Sequence, residues 1–227
     1  AGAEPHKRGV GIWWDEVIAP TINQQITSNT VINCPGNGIF VEKADDCEVS
    51  YNVVNNCGTY TFRGGIHVEA NSAGYDAVND IPATVPHNVE RANVHHNTVY
   101  GGHWSLVAND VTTSCLMNNC SFSENIATGA SNQDFYTAGG GSNNGTLGSG
   151  NTYTRNNFGP EVGNIGVWNG TSYSTYAALQ TASAGAVSAS VVGDPLFTDP
   201  AGEDFSLQPG SPCIGADAQG ANIGALP

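Results

Sequence analysis

Gly11-Ile12-Trp13-Trp14-Asp15, Gly38-Ile39-Phe40-Val41-Glu42 and Gly65-Ile66-His67-Val68-Glu69 carry one pattern three times, each copy 27 residues after the last. A second unit is Asn followed by a β-branched pair or its equivalent: Asn29-Thr30-Val31, Asn52-Val53-Val54 and Asn97-Thr98-Val99. The first two lie 23 residues apart, and the third follows after 45, about two such periods. Fainter echoes continue at Asn125-Ile126 and Asn156-Asn157-Phe158. Periods of this size, each holding two or three short alternating strands, suit one coil of a parallel β-solenoid. Leucine-rich repeats share the period but need a regular Leu frame, which is absent. Asn fits solenoid corners, because its amide can bond the equivalent Asn one coil away and its backbone tolerates the left-handed conformation. The expected fold is all-β: a right-handed single-stranded parallel β-helix with inserted loops and a short C-terminal helix.

Composition agrees with that reading. The 227 residues include 29 Gly and 25 Asn, which form turns readily and helices poorly. Only 11% of residues are charged, and six Lys and Arg stand against twenty Asp and Glu, a net charge of -14. Such a surface repels phosphate backbones and anionic lipid, so nucleic acid and membrane surfaces are not expected partners. No apolar run is long enough for a membrane-spanning helix. The chain reads as a single domain over 1–227, with regular coils at 9–72 and an inserted loop at 73–87. Further coils follow at 88–170, interrupted by a Gly/Ser-rich loop at 138–150, and a helix with closing coils occupies 171–227. Tyr173, Tyr176, Ala177 and Leu179 at helix-like spacing predict a short helix laid across the coils. A coil begins within about ten residues of the start, which favours the C-terminal part of a longer solenoid over a cap built from Ala1 to Arg8.

Strand alternation sends Ile12, Ile39 and Ile66 inward, together with Trp14, Val41 and Val68. The outward face then carries Trp13, Phe40 and His67 in one column and Asp15, Glu42 and Glu69 in the next. Coils about 4.8 Å apart make these columns physical stacks. Stacked carboxylates repel, and one of them resists ionisation unless something compensates. Such a column can hold a hard cation, here Ca2+ at Asp15, Glu42 and Glu69, or divide acid and base roles between neighbours. The aromatic column suits the apolar face of a sugar ring. The bland alternative is a solvated acidic face, screened by salt.

Two resemblances follow from particular strings. Tyr176-Ala177-Ala178-Leu179-Gln180, Gly193-Asp194-Pro195-Leu196-Phe197-Thr198-Asp199-Pro200, Asp204-Phe205-Ser206-Leu207 and Gly210-Ser211-Pro212-Cys213-Ile214 resemble the ending of secreted bacterial β-helix proteins of the pectate-lyase-like kind. That likeness implies an extracellular or cell-surface location and leaves the substrate open. Gly-Ile-Trp-x-Asp followed one coil later by Gly-Ile-Phe-x-Glu resembles the β-helical glycosidases, in which an Asp and a Glu on successive coils are nucleophile and acid/base. Carried over, Asp15 is the nucleophile or base and Glu42 the general acid, near the roughly 5–5.5 Å separation of retaining enzymes. Lys43 and Arg63, two of the six basic residues, carry a runner-up. Val41-Glu42-Lys43 and Thr59-Tyr60-Thr61-Phe62-Arg63 resemble β-helical polysaccharide lyases, the chondroitinase B and alginate lyase kind. This implies Lys43 abstracting the C5 proton of a uronate, Arg63 assisting and Ca2+ neutralising the carboxylate. A 27-residue coil stacks Ala70 on Lys43, however, and an acidic protein is an awkward host for a polyanion.

His95, His96 and His103 fall within nine residues. Alternation sends His95 and His96 to opposite faces, and with no His-x-x-x-His or Cys-x-x-Cys spacing a zinc site is not expected. Trp104 and Trp168 read as cap or loop packing. Cys34 and Cys57 share the 23-residue offset of the Asn units and should stack within reach of a disulfide; a ladder of free thiols is the alternative. The favoured function is an extracellular glycoside hydrolase acting on a polysaccharide or oligosaccharide. Asp15, Glu42 and Glu69 form its polar centre, Trp13, Phe40 and His67 its platform, and no cofactor is required beyond optional Ca2+. A different class stands beside it: a non-catalytic adhesion or filament module that self-associates end to end through an open coil end.

Overall fold

The first four passes of the chain visit the same three parallel sheets in the same order, with a short additional parallel pair in the third and fourth. The computed structural model describes residues 9–15, 24–61, 63–70, 88–110, 115–138 and 148–225, with Asp15 and Ala138 described by backbone alone. The first pass is β1 (Ile12–Asp15), β2 (Gln24–Thr27) and β3 (Thr30–Ile32), and the second is β4 (Ile39–Glu42), β5 (Cys47–Ser50) and β6 (Val53–Asn55). The third pass is β7 (Gly64–Ala70), β8 (Val89–Glu90), β9 (Asn93–His95) and β10 (Thr98–Tyr100). The fourth is β11 (Trp104–Asp110), β12 (Met117–Asn118), β13 (Ser121–Ser123) and β14 (Ile126–Thr128). Then come β15 (Gln133–Ala138), β16 (Thr152–Thr154), β17 (Gly166–Trp168), β18 (Thr171–Tyr173), α1 (Tyr176–Ala182) and β19 (Val187–Ser188). An antiparallel pair, β20 (Phe197–Asp199) and β21 (Asp204–Leu207), follows. The first sheet runs β1-β4-β7-β11-β15-β17, with β18 added antiparallel. The second runs β2-β5-β9-β13-β16-β19, and the third β3-β6-β10-β14. The chain is therefore all-β, built on parallel sheets.

In-register pairing stacks like on like. Ile12, Ile39, Ile66, Leu106 and Phe135 are successive partners across the first sheet. Ile39, Ile66, Leu106 and Phe135 are fully buried, as are Val41, Val68 and Ala108 one step along, and Val49, Val54, Val94 and Val99 close the core from the other sheets. The repeated glycine has a packing cause. A Cβ on Gly38 would meet Val54, the Gly65 carbonyl at 2.6 Å and Cys57 Cβ at 2.9 Å. At Gly38 the absence of a side chain lets the first sheet turn this close beneath the third.

Asn29, Asn52, Asn97, Asn125 and Asn156 form one continuous ladder. In each step the lower Asn donates its backbone N–H and its amide N–H to the next Asn Oδ1, at 2.9–3.0 Å. Two expectations change here. Asn52 and Asn97 are adjacent rungs, so their 45-residue offset is one pass lengthened by an insertion, not two periods. The left-handed backbone belongs to the residue before each Asn, namely Ser28, Tyr51, His96, Glu124 and Arg155, with φ of 51–60°. The corner bends there, which frees each Asn to aim its amide along the stack.

Cys34 and Cys57 stack as expected but as free thiols, and none of the six cysteines is bridged. The Cys57 Sγ accepts the Cys34 N–H at 3.3 Å and donates toward the Val31 and Asn55 carbonyls, while Cys34 Sγ donates toward Ile32 O. Both sulfurs are thus engaged with backbone. Burial pushes the Cys57 thiol up to about 12. The C-terminal helix is present: Thr175 caps α1 through its hydroxyl on Ala178 N–H, and Leu179 is buried against β17 beside Phe135. No described helix is long and apolar enough to cross a membrane. The inserted loop at 73–87 and most of the loop at 138–150 lie outside the described residues.

Candidate functional site

The outward face of the first sheet carries the two expected columns. Trp13 pairs with Phe40, Phe40 with His67 and His67 with Val107, while Asp15 pairs with Glu42, Glu42 with Glu69 and Glu69 with Asn109. Trp13 stacks on Phe40 with centroids 6.1 Å apart, and Phe40 tilts against His67 at 5.1 Å. The register therefore assembles Trp13, Phe40, His67, Glu42 and Glu69 as the alternation requires. The Asp15 side chain lies outside what is described, and with it the proposed three-carboxylate Ca2+ site and the Asp15 nucleophile.

Facing away from the core does not mean facing water. Trp13 is 38% exposed, but Phe40, His67, Glu42 and Lys43 are each 3% or less and Glu69 is 7%. The expected open platform is accessible only at its Trp13 end. Part of the cover is Asn37, itself buried, on the segment leading into β4. Its Oδ1 accepts the Gly64 N–H at 2.8 Å and lies 3.2 Å from His67 Nδ1. Because that oxygen already accepts a backbone proton, His67 Nδ1 is the donor, and its Nε2 faces Glu69 Oε2 at 3.2 Å. Asn37, His67 and Glu69 thus stand in line, with the imidazole hydrogen-bonded at Nδ1 and its Nε2 set against the Glu69 carboxylate. Burial pushes the Glu69 carboxyl up, but the hydrogen bond and charge of His67, the Arg63 charge and the Asn109 side chain together bring it below the usual carboxylate value. Glu69 is held ionised inside the protein.

Lys43 and Arg63 leave the sheet at opposite ends of adjacent strands. Lys43 follows β4 in the left-handed region (φ 54°), level with Ala70 at the far end of β7, whereas Arg63 precedes β7 and acts on Glu69. Seven strand positions separate the two backbones, about 23 Å of extended chain. Trp104 is not loop packing. It opens β11, stacks on Tyr136 at 4.0 Å and donates its indole N–H to Gln133 Oε1 at 2.7 Å. Trp168, half-buried, ends β17 at the β17–β18 turn. Asn37, Trp104, Asn109, Gln133 and Tyr136 extend the face beyond the residues singled out from sequence. Alternation in Leu106-Val107-Ala108-Asn109 was the signal for Asn109, but Trp104 and Gln133 share the parity of the inward Leu106 and Phe135, so alternation assigned them to the core.

His95 and His96 lie on another sheet and do not point apart. The left-handed backbone at His96 brings both rings to one side, with their Nδ1 atoms 3.0 Å apart. His103 sits beside Trp104, centroids 5.2 Å apart, and burial lowers its pKa. No family model, no curated protein and no solved structure matches this chain.

Proposed function

We propose that the chain is an extracellular carbohydrate-active protein, a glycoside hydrolase, on a right-handed single-stranded parallel β-helix. Three parallel sheets visited in turn support the fold reading, since crossover connections between parallel strands are overwhelmingly right-handed. One observation carries the function: Glu42 and Glu69 stand in register on adjacent strands beside the Trp13–Phe40–His67 column, and His67 keeps Glu69 ionised. Adjacent strands about 4.8 Å apart give the short carboxyl separation that suits a retaining reaction. Glu69 then serves as the carboxylate that attacks or stabilises the anomeric carbon, and Glu42, its in-register neighbour, donates the proton to the leaving oxygen. The open face of Trp13 receives the apolar side of a sugar ring at the mouth of the site.

The test is depolymerisation of a panel of neutral and uronate polysaccharides, read by reducing ends and by the ultraviolet absorbance of unsaturated uronates. Reducing ends without absorbance are expected, falling by roughly 10²–10⁴-fold in Glu69→Gln and in Glu42→Gln. Absorbance that needs Lys43 and survives Glu42→Gln would replace hydrolysis by β-elimination. A second reading has its own observation. The deep burial of Phe40, His67 and Glu42 favours a structural role for the column in a non-catalytic extracellular module. Silence across the panel, with both variants losing stability instead of activity, would establish that reading.

A further inference from the structure

The β20–β21 hairpin lies over the outer face of the third sheet. Phe197 and Phe205 meet Tyr100 with centroids 6.0 and 5.6 Å apart, and Val53 of β6 packs into the same cluster. No residue of β3, the last strand of that sheet, belongs to the cluster. There the cover gives way to a cavity of about 500 Å³ between the hairpin and the first two passes. Its volume lies within the roughly 300–1,000 Å³ of small-ligand sites. Phe205 and Val53 supply apolar wall. Tyr51 adds an aromatic ring, 47% exposed and steadied by stacking on His96 with centroids 5.1 Å apart and planes at 20°. None of these residues belongs to the first-sheet face, so a ligand here is independent of any hydrolysis there.

The polar lining of this cavity accepts hydrogen bonds and hardly donates them. Asp204 Oδ1 takes the Ser206 hydroxyl at 2.6 Å and the Ser206 N–H at 3.0 Å, bonds that hold its carboxyl ionised and below the usual range. Its Oδ2 has no partner among the described residues, and neither does the carboxylate of Glu203, which enters β21 in the left-handed region at φ 65°. Asn29 is the first rung of the Asn ladder. At every later rung Oδ1 accepts two N–H groups from the rung before. Among the described residues no rung precedes Asn29, so its Oδ1 has no donor, while its amide N–H groups are spent on Thr27 O at 3.1 Å and Asn52 Oδ1 at 3.0 Å. The complement of such a lining carries several N–H or O–H donors, a positive charge for the two carboxylates and an apolar face for Tyr51. We propose that the cavity binds an amino-sugar unit with a free, protonated amine, as in a deacetylated amino polysaccharide. A pyranose ring presents donors around its rim and C–H groups on its face, which suits acceptors arranged about an aromatic wall. A lysine side chain brings the charge but a single donor group, and leaves most of the volume empty. A uronate meets Glu203 and Asp204 as like charges. The net charge of -14 draws a cationic chain in from solution.

The experiment titrates a glucosamine tetramer into the chain by calorimetry at mildly acidic pH, where the amines carry protons. The N-acetylglucosamine tetramer and tetralysine are the comparators. The glucosamine tetramer should bind about tenfold more tightly than either, and its affinity should fall as salt is raised. Binding should weaken about tenfold in Glu203→Gln/Asp204→Asn, which removes two exposed charges, and about fivefold in Tyr51→Ala. Equal binding by the neutral tetramer, tighter binding by tetralysine, unchanged binding in the double variant or no binding at all would each overturn the site. Should either of those variants lose its thermal transition, Glu203→Gln alone decides, because it removes no described side-chain bond. It should weaken binding about threefold, and an unchanged affinity overturns the site.

Discussion

Asn97 shows how much one side chain does in this fold. Its Oδ1 accepts the Asn52 N–H at 3.0 Å and the Asn52 amide at 2.9 Å, while its amide donates to Asn125 Oδ1 at 2.9 Å and Val49 O at 2.8 Å, all without contact with water. Truncation to alanine strands a buried backbone N–H and a buried carbonyl together, and each such loss costs about 1–3 kcal/mol. Asn97→Ala should therefore destabilise the chain by about 3 kcal/mol or more, read as a lower urea midpoint at unchanged m-value. Asn29 ends the ladder and has partly exposed bonds, so Asn29→Ala should cost about 1 kcal/mol or less. Equal costs at the two positions would show that the ladder does not act through burial. Asn97→Asp separates shape from chemistry, since a carboxylate keeps the acceptors but cannot donate to Val49 O.

At the scale of elements, β4 and β7 explain what was legible in the chain and what was not. Their shared opening, Gly-Ile-x-Val-Glu, recurs because the same packing problem is solved at the same place twice: glycine beneath Val54 or Val99, isoleucine inward, carboxylate outward. Repetition of that kind is readable without a structure, and so was the Asn ladder. β11 solves the problem differently, with Ser105 in place of the glycine and Asn109 in place of the carboxylate, so its outward residues escaped notice. Burial of the outward columns was illegible for another reason. Alternation reports which side chains leave the core, not what lies over them, as Asn37 does over His67. The left-handed corner at His96 was equally hidden, because strand alternation stops applying at the residue where the strand ends. The glycine reading has its own check. A methyl on Gly38 would be pressed against the Gly65 carbonyl oxygen at 2.6 Å as well as against Val54. A side chain can yield, but a paired backbone carbonyl cannot. Gly38→Ala should cost about 3 kcal/mol, the upper end for overpacking, and adding Val54→Ala should recover only part of it. Full recovery in the denaturation midpoint would place the whole strain on Val54.

Over the whole molecule, ionisation sets a pH window that differs from what the net charge of -14 alone suggests. Asp110 at the end of β11 is buried and accepts the Met117 and Gly148 N–H groups, yet burial pushes its carboxyl from 3.8 up to about 7. Asp134, half-buried in β15, is likewise pushed up to about 7 by burial, against the Ala130 N–H and the Ser105 hydroxyl. Between pH 4 and 7 the folded chain keeps protons on these two groups that the unfolded chain has released. Stability therefore falls as pH rises through that interval, by up to about 1.4 kcal/mol per pH unit for each proton retained. Glu69 and Glu48 act in the opposite sense. Their folded pKa values lie below 4.5, so the stability they contribute is present above that value and is lost as pH falls through the folded pKa. Self-repulsion of the acidic surface grows as pH climbs and adds to the loss at the alkaline side. The two slopes meet at mildly acidic pH, on the order of 4–5. Urea midpoints followed from pH 4 to 8 should decline steadily in the parent. In Asp110→Asn/Asp134→Asn, where neither group can ionise, the decline should flatten toward the slope that surface repulsion alone produces. A parent curve already flat from pH 5 to 7 would mean that both aspartates are ionised in the folded chain and that their backbone N–H donors outweigh their burial.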